Sequence, residues 1–290
     1  MKIGMVVINY NDYETTLNLI KQIQSFSSLN KIVIVDNCST DNSYEILKKQ
    51  ENKKIKVIKT VNNNGYAYGN NLGIKYLENN CKVDYVIISN PDILIKEDGF
   101  NKLISKLDNK IDVIAPLIKQ GNEIIRGWRL PTFTDELLSN INFIQRYAKK
   151  RTLYQNEEYK GSLTKVEVVS GCFFIIKSKT IKEVGYFDEK TFLYYEENIL
   201  GKKLKNANKN SYIYNKVEVI HDLSVSINKS FKSLKKYKIL KTSQRYYQKN
   251  YNNANVFGIF ILYFTYVISL FISAIVIFFR KIGGQKWKKI

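Results

Sequence analysis

The 290-residue sequence is poor in proline, cysteine and histidine, with three, three and one of each. The low proline count, with only 14 glycines, excludes a collagen-like or linker-like chain. The cysteines, Cys38, Cys81 and Cys172, lie far apart and form no Cys-x-x-Cys pair. This spacing argues against a disulfide framework and a zinc knuckle, and it indicates a reducing compartment.

Acidic residues are absent from 223–290, although this segment contains 13 Lys and Arg. The segment therefore supplies most of the formal net charge of +20, and the first 222 residues carry only +7. A large positive excess is typical of chains that meet an anionic partner, such as nucleic acid, an acidic membrane or a phosphorylated substrate. We expect most of this charge to meet lipid headgroups.

A run of 24 residues without a charge, 256–279, lies inside the basic segment. A helix of this length spans roughly 36 Å, which is enough for the ~30 Å hydrocarbon core of a bilayer. Arg280, Lys281 and Trp287 follow it in an interfacial pattern. We predict a transmembrane or membrane-embedded helix over 256–279 and a basic tail over 280–290. A buried helix of a soluble domain and a re-entrant hairpin are the alternatives.

The residues before this run, 226–255, combine apolar and basic side chains. Apolar residues recur at steps of three, four and seven from Ile227 to Tyr251, as on one face of a helix. Lys and Arg fill much of the remainder, which predicts a basic amphipathic juxtamembrane helix on anionic lipid. From these two predicted helices we expect the protein to lie at the cytoplasmic face of the cell membrane. A solvated helix that packs on the preceding domain is the alternative.

Short apolar segments alternate with helix-like segments over the first 120 residues. The predicted strands are 3–8, 31–35, 55–58, 85–89 and 113–118, and the predicted helices are 13–25, 42–49, 67–78 and 99–107. This alternation indicates an α/β fold with a mostly parallel sheet that is covered on both faces. In such sheets ligands bind beyond the carboxyl ends of the strands.

Polar residues follow four of the predicted strands. These polar stretches are 9–12, 36–43, 62–73 and 90–92. Helix capping explains single members such as Ser39 or Asp41, but it does not explain four polar strand ends at one edge of the sheet. Neither a Rossmann nor a P-loop fingerprint is present. The pattern predicts a binding site of another kind at this edge.

Six segments in order resemble the family 2 glycosyltransferases of bacteria, which have the GT-A fold. They are VVINYN at 6–11, IVDNCSTDNS at 34–43, NNGYAYGNNLGI at 63–74, SNPDI at 89–93, SGCFFIIKSKTIKEVGYFDEKTFLYYEENILGKKLK at 170–205, and His221-Asp222. The resemblance covers 1–225 and implies a GT-A domain with a mixed, mostly parallel central sheet. The Asn-Pro-Asp form is most similar to rhamnosyltransferase-like enzymes, which use dTDP-rhamnose to build surface polysaccharides.

The resemblance implies a nucleotide-sugar site at the polar strand ends. Asn9 and Tyr10 would lie against the base, and Asp36 would accept a hydrogen bond from the ring N–H of uracil or thymine. Other residues would shape the donor pocket, where glycine permits close backbone approach. They are Asn63, Gly65, Asn71 and Asn90.

The resemblance also implies a divalent metal, Mg²⁺ or Mn²⁺, against the diphosphate. Asp92 matches the last acid of the Asp-x-Asp metal motif of the family, and His221 matches a second position near the metal. Oxygen ligands suit such a cation, which stabilises charge on the leaving diphosphate. Asn90 stands in place of the first acid, so we expect a weak metal requirement. The alternatives are a helix cap for Asp92 and a polar strand end for His221.

A catalytic base is implied by the aromatic run that ends in Glu196 and Glu197. Glu197 falls on the aspartate position of the family, and a carboxylate there would take the proton of the acceptor hydroxyl. Glu196 would position the acceptor, together with Asp188 and Trp128. For Trp128, packing within a loop is the alternative. Ile199 replaces a further acid of the family pattern. The alternative is that both glutamates are solvated acids of a first helical turn.

We therefore expect an inverting glycosyltransferase that moves a sugar to a lipid-linked or polysaccharide acceptor in cell-surface glycan synthesis. The best-matching donor is dTDP-rhamnose, and a UDP-hexose or UDP-galactofuranose is the alternative. Because a lipid-linked acceptor is confined to the bilayer, a membrane anchor would raise its effective concentration. A catalytically silent scaffold and a membrane-tethered nucleic-acid binder are rival readings, although no nucleic-acid-binding signature is present.

Overall fold

The computed structural model describes residues 1–141, 144–159, 161–222 and 233–282. The chain forms two compact units. The first unit consists of Met1–Leu130 and Tyr154–Ser243, and it contains the sheet. The second consists of Pro131–Leu153 and the residues from Gln244 onward, and its described part is helical.

Ten strands form one sheet in the described residues. Its main path runs in the order β3-β2-β1-β4-β9-β6-β10-β5, with β7 paired to β6 and β8 paired to β10. The strands are β1 (Ile3–Asn9), β2 (Lys31–Asp36), β3 (Ile55–Lys59), β4 (Tyr85–Ser89), β5 (Ile93–Leu94), β6 (Val113–Gln120), β7 (Glu123–Ile125), β8 (Leu163–Val166), β9 (Phe173–Lys177) and β10 (Ser211–His221).

Ten α-helices accompany the strands in the described residues. They are α1 (Tyr13–Ile23), α2 (Ser43–Lys48), α3 (Tyr66–Tyr76), α4 (Glu97–Ile104), α5 (Phe133–Ser139), α6 (Gln145–Thr152), α7 (Ser178–Glu183), α8 (Glu196–Asn206), α9 (Ser233–Tyr251) and α10 (Val256–Ile282). The five predicted strands and four predicted helices of the first 120 residues all occur, with ends shifted by up to three residues.

The sheet is covered on both faces, as strands alternating with helices predict. Side chains of one strand alternate between two hydrophobic clusters, because successive residues point to opposite faces. Met5 and Val7 of β1 belong to the cluster that contains Leu19 of α1 and Phe100 of α4. Val6 belongs to the other cluster, which takes in side chains of α3, α7 and α8.

The sheet is more evenly mixed than the expected mostly parallel one. Strands β1, β2, β3 and β4 pair in parallel, as do β6 and β10. Strand β9 runs antiparallel between β4 and β6, and β5, β7 and β8 add further antiparallel pairs. The apolar run of β9 has no periodicity that reveals strand direction, because direction depends on the path of the connections.

The second unit contains α5, α6, α10 and the end of α9. Polar contacts tie its helices together, since the Asn140 side-chain amide donates to the Leu262 carbonyl oxygen at 3.1 Å and to the Thr265 hydroxyl at 3.0 Å. The predicted amphipathic helix over 226–255 is observed from Ser233, and its earlier part lies outside the described residues. Residues 283–290 of the predicted basic tail also lie outside them.

The predicted apolar helix over 256–279 is present, because α10 runs from Val256 to Ile282. A search of the described residues found no helix with the length and apolar character required to cross a bilayer. The expected membrane-spanning segment is therefore not supported.

Candidate active site

A cavity of about 290 Å³ opens at the carboxyl ends of β1 and β4, within the first unit. Its walls come from the loops after these strands, from the segment before β9, from the start of α8 and from the end of β10. The lining residues are Ile8, Tyr10, Asp12, Tyr66, Asn90, Pro91, Ser170, Gly171, Cys172, Leu193, Tyr194, Glu196, Glu197 and His221. Five predicted site residues thus lie together on its wall: Tyr10, Asn90, Glu196, Glu197 and His221.

A buried hydrogen-bond network joins the ends of β1 and β2 beside this cavity. Asn9 donates from its side chain to the Asp36 carboxylate at 2.8 Å and to the Ser39 hydroxyl at 3.2 Å, and it accepts from Thr16 at 2.9 Å. The Ser39 hydroxyl also donates to Asp36, at 2.6 Å. Asn9 and Asp36 are fully buried and do not line the cavity. The network fixes the loop that carries Tyr10.

The loop after β3 is held by side chains from the β2 end. The Asn37 side-chain amide donates to the Asn63 side-chain oxygen and to the Gly65 carbonyl oxygen, both at 3.0 Å. The same Asn63 oxygen accepts from the Gly65 N–H at 3.1 Å. Asn63 and Gly65 therefore shape the start of α3 and are not on the cavity wall.

The segment 192–195 packs against Gly65 at the start of α3. The φ of +95° at Gly65 suits glycine, and a Cβ atom there would lie 2.1 Å from the Phe192 carbonyl oxygen. The Tyr66 N–H donates to the same oxygen at 3.0 Å. The segment is also strained, because Tyr194 and Tyr195 have φ values of 72° and 73°. Such strain costs about 1–3 kcal/mol per residue and clusters at functional sites.

Glu196 and Glu197 form the first turn of α8, directly after this strained segment. Glu196 is only 4% exposed, and its Oε1 has no hydrogen-bond partner among the described residues. Burial and the neighbouring Glu197 raise the pKa of Glu196 well above the usual range. Burial likewise raises the pKa of Glu197. The pair is therefore not the solvated helix start of the alternative reading, and either carboxylate is suited to take up a proton.

Asp92, just before β5, and His221, at the end of β10, lie side by side. The His221 Nε2 is 3.2 Å from the Asp92 Oδ1 and 3.5 Å from the Asn90 side-chain nitrogen. Burial alone would lower the pKa of His221, but the Asp92 hydrogen bond and the contact with Cys172 raise it to about 10. A protonated His221 balances the Asp92 charge.

The possible metal ligands beside the end of β10 fit a divalent cation only in part. They comprise one carboxylate and one imidazole, and the described residues contain no group of three or more His, Cys, Asp or Glu that could hold a metal. Such cations commonly take one or two carboxylates from protein and the remaining oxygens from phosphates. The set therefore fits a cation that is held mainly by a diphosphate.

Three further predicted residues, Asn71, Asp188 and Trp128, also lie away from the cavity wall. The Asn71 amide bridges the Phe187 carbonyl oxygen and the Glu189 carboxylate, at 3.0 and 2.8 Å. Asp188 accepts from the Lys190 N–H at 2.9 Å. Trp128 donates from Nε1 to the Asn198 side-chain oxygen at 2.7 Å. Trp128 thus holds the first turn of α8 and does not face the cavity.

The structure adds residues to the site that we did not single out from the sequence. Asp12 lines the cavity and is 7% exposed. Tyr66 also lines it, and its hydroxyl donates to the Gly171 carbonyl oxygen at 2.7 Å. Both residues lie in polar strand-end segments, but only the folded chain shows which side chains of these segments face the cavity.

The sequence also matches known proteins. A family model described as glycosyl transferase family 2 matches residues 5–185. The low-salt glycan biosynthesis hexosyltransferase Agl10 of Haloferax volcanii is 26% identical over 224 residues, which are 77% of this chain and 68% of that protein. The poly-beta-1,6-N-acetyl-D-glucosamine synthase of Staphylococcus aureus is 26% identical over 183 residues, which are 62% of this chain and 40% of that protein.

The fold resembles that of GalNAc-T7, whose crystal structure contains UDP, GalNAc and Mn²⁺. The TM-score is 0.63 at 16% identity, and the match covers 86% of this chain and 48% of that one. At this identity the likeness concerns the fold alone, and it supports the expected GT-A-like α/β architecture. The chain spans less than half the length of this neighbour and of the staphylococcal synthase.

We expect Gly65→Ala to disturb the site, because its Cβ would overlap the Phe192 carbonyl oxygen. Gly121→Ala is the matched control, since Gly121 also has a positive φ, of +58°, but has nothing within 4 Å of the new Cβ. The φ penalty alone is about 1–2 kcal/mol. Denaturant unfolding should show a larger loss of stability for Gly65→Ala than for Gly121→Ala. Equal losses would contradict the role of this contact.

Proposed function

The chain belongs to glycosyltransferase family 2, and we propose that it is an inverting enzyme acting in cell-surface glycan synthesis. In this proposal it transfers a hexosyl or deoxyhexosyl unit from a nucleotide diphosphate sugar to a lipid-linked or polysaccharide acceptor. We favour dTDP-rhamnose as the donor, because the Asn90-Pro91-Asp92 segment is similar to rhamnosyltransferase-like sequences. A UDP-hexose or UDP-galactofuranose is the second candidate.

One observation supports this proposal most strongly. One cavity brings the buried Glu196 and the half-buried Glu197 together with Asn90 and with His221, which adjoins Asp92. Glycosyl transfer needs these two kinds of group in one place. A base must act at the acceptor oxygen, and positive charge must act at the leaving diphosphate.

We assign nucleotide binding to the wall formed by Tyr10 and the neighbouring loops. Tyr10 is half-buried and lines the cavity, where its ring is available to a flat base. Asn9 and Asp36 hold this wall from beneath through their mutual hydrogen bond. Asp36 is itself fully buried and lies off the cavity wall, so we assign it to holding this wall and not to direct contact with the base.

Asp92 would hold a divalent cation together with the diphosphate oxygens, and His221 would join it after giving up its proton. When bound, that cation supplies positive charge that stabilises the leaving nucleotide diphosphate. Asn90 lies within 3.5 Å of His221 and would orient its ring. With a single carboxylate in the set, the cation is expected to bind weakly without nucleotide.

Glu197 is proposed as the catalytic base. Its carboxylate accepts the proton of the acceptor hydroxyl while the acceptor oxygen forms a bond to the anomeric carbon. The bond from that carbon to the diphosphate oxygen breaks on the opposite face, which inverts the configuration. The Trp128 hydrogen bond to Asn198 anchors the turn that positions Glu197, and Glu196 contributes an acceptor-facing carboxyl group.

We further propose that α10 lies against an anionic membrane surface at the cytoplasmic face of the cell. Several of its large apolar side chains are exposed, among them Phe257 at 70%, Phe260 at 60% and Phe271 at 68%. Exposed apolar patches of this kind mark interaction surfaces. Residues 223–290 contain no acidic residue and 13 basic ones, which suits anionic headgroups.

Glu197→Gln should lower kcat by about 100-fold or more, because the acceptor proton loses its acceptor. Donor binding should stay within about twofold of wild type by calorimetry. In wild type, kcat/KM should fall on the acid side of its pH profile with a midpoint above 4.5, the ordinary glutamate pKa. The reason is that burial raises the pKa of Glu197 and that only its deprotonated form accepts the proton. Glu196→Gln is the paired variant and should keep this fall on the acid side. An inactive Glu196→Gln beside an active Glu197→Gln would reverse the assignment.

Asp92→Ala should remove the stimulation by divalent ions, since it deletes the carboxylate of the proposed site. The measurement is turnover and thermal shift with dTDP-rhamnose, UDP-glucose, UDP-galactose and UDP-galactofuranose, with and without Mn²⁺. Asp98→Ala, at an exposed ion pair with Lys102, is the control and should respond as wild type does. An unchanged Mn²⁺ response in Asp92→Ala would remove its ligand role.

Phe260→Asp combined with Phe264→Asp should weaken binding to phosphatidylglycerol-containing vesicles by about fivefold or more, because two exposed apolar side chains of α10 become charged. Ile124→Asp, on exposed strand β7, is the control and should bind as wild type does. Vesicle co-sedimentation of the full chain measures this. Equal binding of both variants would exclude α10 as the contact.

A further inference from the structure

The cavity wall is acidic, although the chain as a whole is strongly basic. Three carboxylates, Asp12, Glu196 and Glu197, line it. None of the described residues on this wall is a Lys or Arg, and His221 is already paired with Asp92. An additional negative charge placed in this cavity would meet no cationic side chain of the wall.

Asp12 has no role in the proposed chemistry, yet it is held in place at the cavity. It is 7% exposed, and its Oδ1 accepts from the Thr15 hydroxyl at 2.9 Å. Its Oδ2 has no hydrogen-bond partner among the described residues. Asp12 precedes α1, but its side chain makes no capping bond to the helix backbone. Helix capping therefore does not account for it.

Two residues of this wall, Asp12 and Glu196, thus each have one buried carboxylate oxygen without a hydrogen-bond partner among the described residues, Oδ2 and Oε1 respectively. A buried polar atom without a partner is costly, and a ligand that donates a hydrogen bond relieves that cost. Carboxylates accept from hydroxyl groups, which an uncharged sugar has in number. An acidic sugar would instead bring a carboxylate close to carboxylates.

We propose that this cavity selects donors whose sugar is uncharged, and that Asp12 accepts a hydrogen bond from a donor hydroxyl and rejects donors with an acidic sugar. The inference rests on the proposed function, because it names the donor class of that site. Burial and Glu197 already raise the pKa of Glu196. The cavity therefore disfavours added negative charge even without ligand.

The test compares donors that differ only at the sugar C6 group. UDP-glucose is paired with UDP-glucuronate, and UDP-galactose with UDP-galacturonate, each titrated into the full chain by calorimetry with Mn²⁺. The same four compounds are assayed as inhibitors of whichever transfer reaction the donor panel detects. Two like charges about 6 Å apart at an effective dielectric near 20 repel enough to predict a preference of at least about tenfold for the uncharged member.

Asp12→Asn should reduce the preference for the uncharged donor to about threefold or less. The substitution removes the carboxylate charge but keeps the side-chain size and an oxygen that accepts from the Thr15 hydroxyl. Glu14→Gln, an exposed acid two residues further along α1, is the matched control and should keep the wild-type ratio. Thermal unfolding of both variants checks that they fold. If Asp12→Asn fails to fold, Asp12→Ser takes its place in the same comparison.

The outcomes separate the inference from the function on which it rests. Equal affinity of wild type for the two members of each pair overturns the inference and leaves the proposed function intact. A wild-type preference that Asp12→Asn does not change overturns the assignment of Asp12. Failure of every nucleotide sugar to bind the folded protein overturns the proposed function as well.

Discussion

The carbonyl oxygen of Phe192 is the contact on which the arrangement of the site depends. It accepts from the Tyr66 N–H at 3.0 Å and lies where a side chain at position 65 would be. This contact sets the segment 192–195 against the start of α3. Two left-handed tyrosines then turn the chain directly into α8. The segment that leads into Glu196 and Glu197 thus packs against a glycine more than a hundred residues earlier.

Burial favours the neutral form of the titratable groups in this site, and neighbouring charges either add to this effect or oppose it. Glu196 and Glu197 lie on the wall of one cavity, and burial raises the pKa of both carboxyl groups. The charge of Glu197 raises the pKa of Glu196 further. The Asp92 and His221 pair has the opposite character, since the hydrogen bond with Asp92 raises the pKa of His221 and favours its charged form. One part of the cavity is thus suited to accept a proton, and the other pairs a carboxylate with an imidazolium.

Net charge was a poor guide to the catalytic chemistry. Most of the +20 resides in 223–290, whereas the described cavity wall contains no Lys or Arg. Long-range charge acts on association with an anionic surface. In the proposed function, the selection of a donor depends on a few buried groups at short range, where each charge acts through a lower effective dielectric.

The amino-acid sequence by itself determined the alternation of strands and helices up to residue 120 and the polar strand ends, because both follow from local periodicity and composition. Its ordered motifs also pointed to glycosyltransferase family 2, with Glu196, Glu197 and Asp92 as candidates. Only the tertiary structure decided that β9 runs antiparallel, that Trp128 holds Asn198, and that Asp12 faces the cavity. These facts depend on contacts between residues distant in sequence, and no local pattern specifies which side of a loop a polar side chain faces.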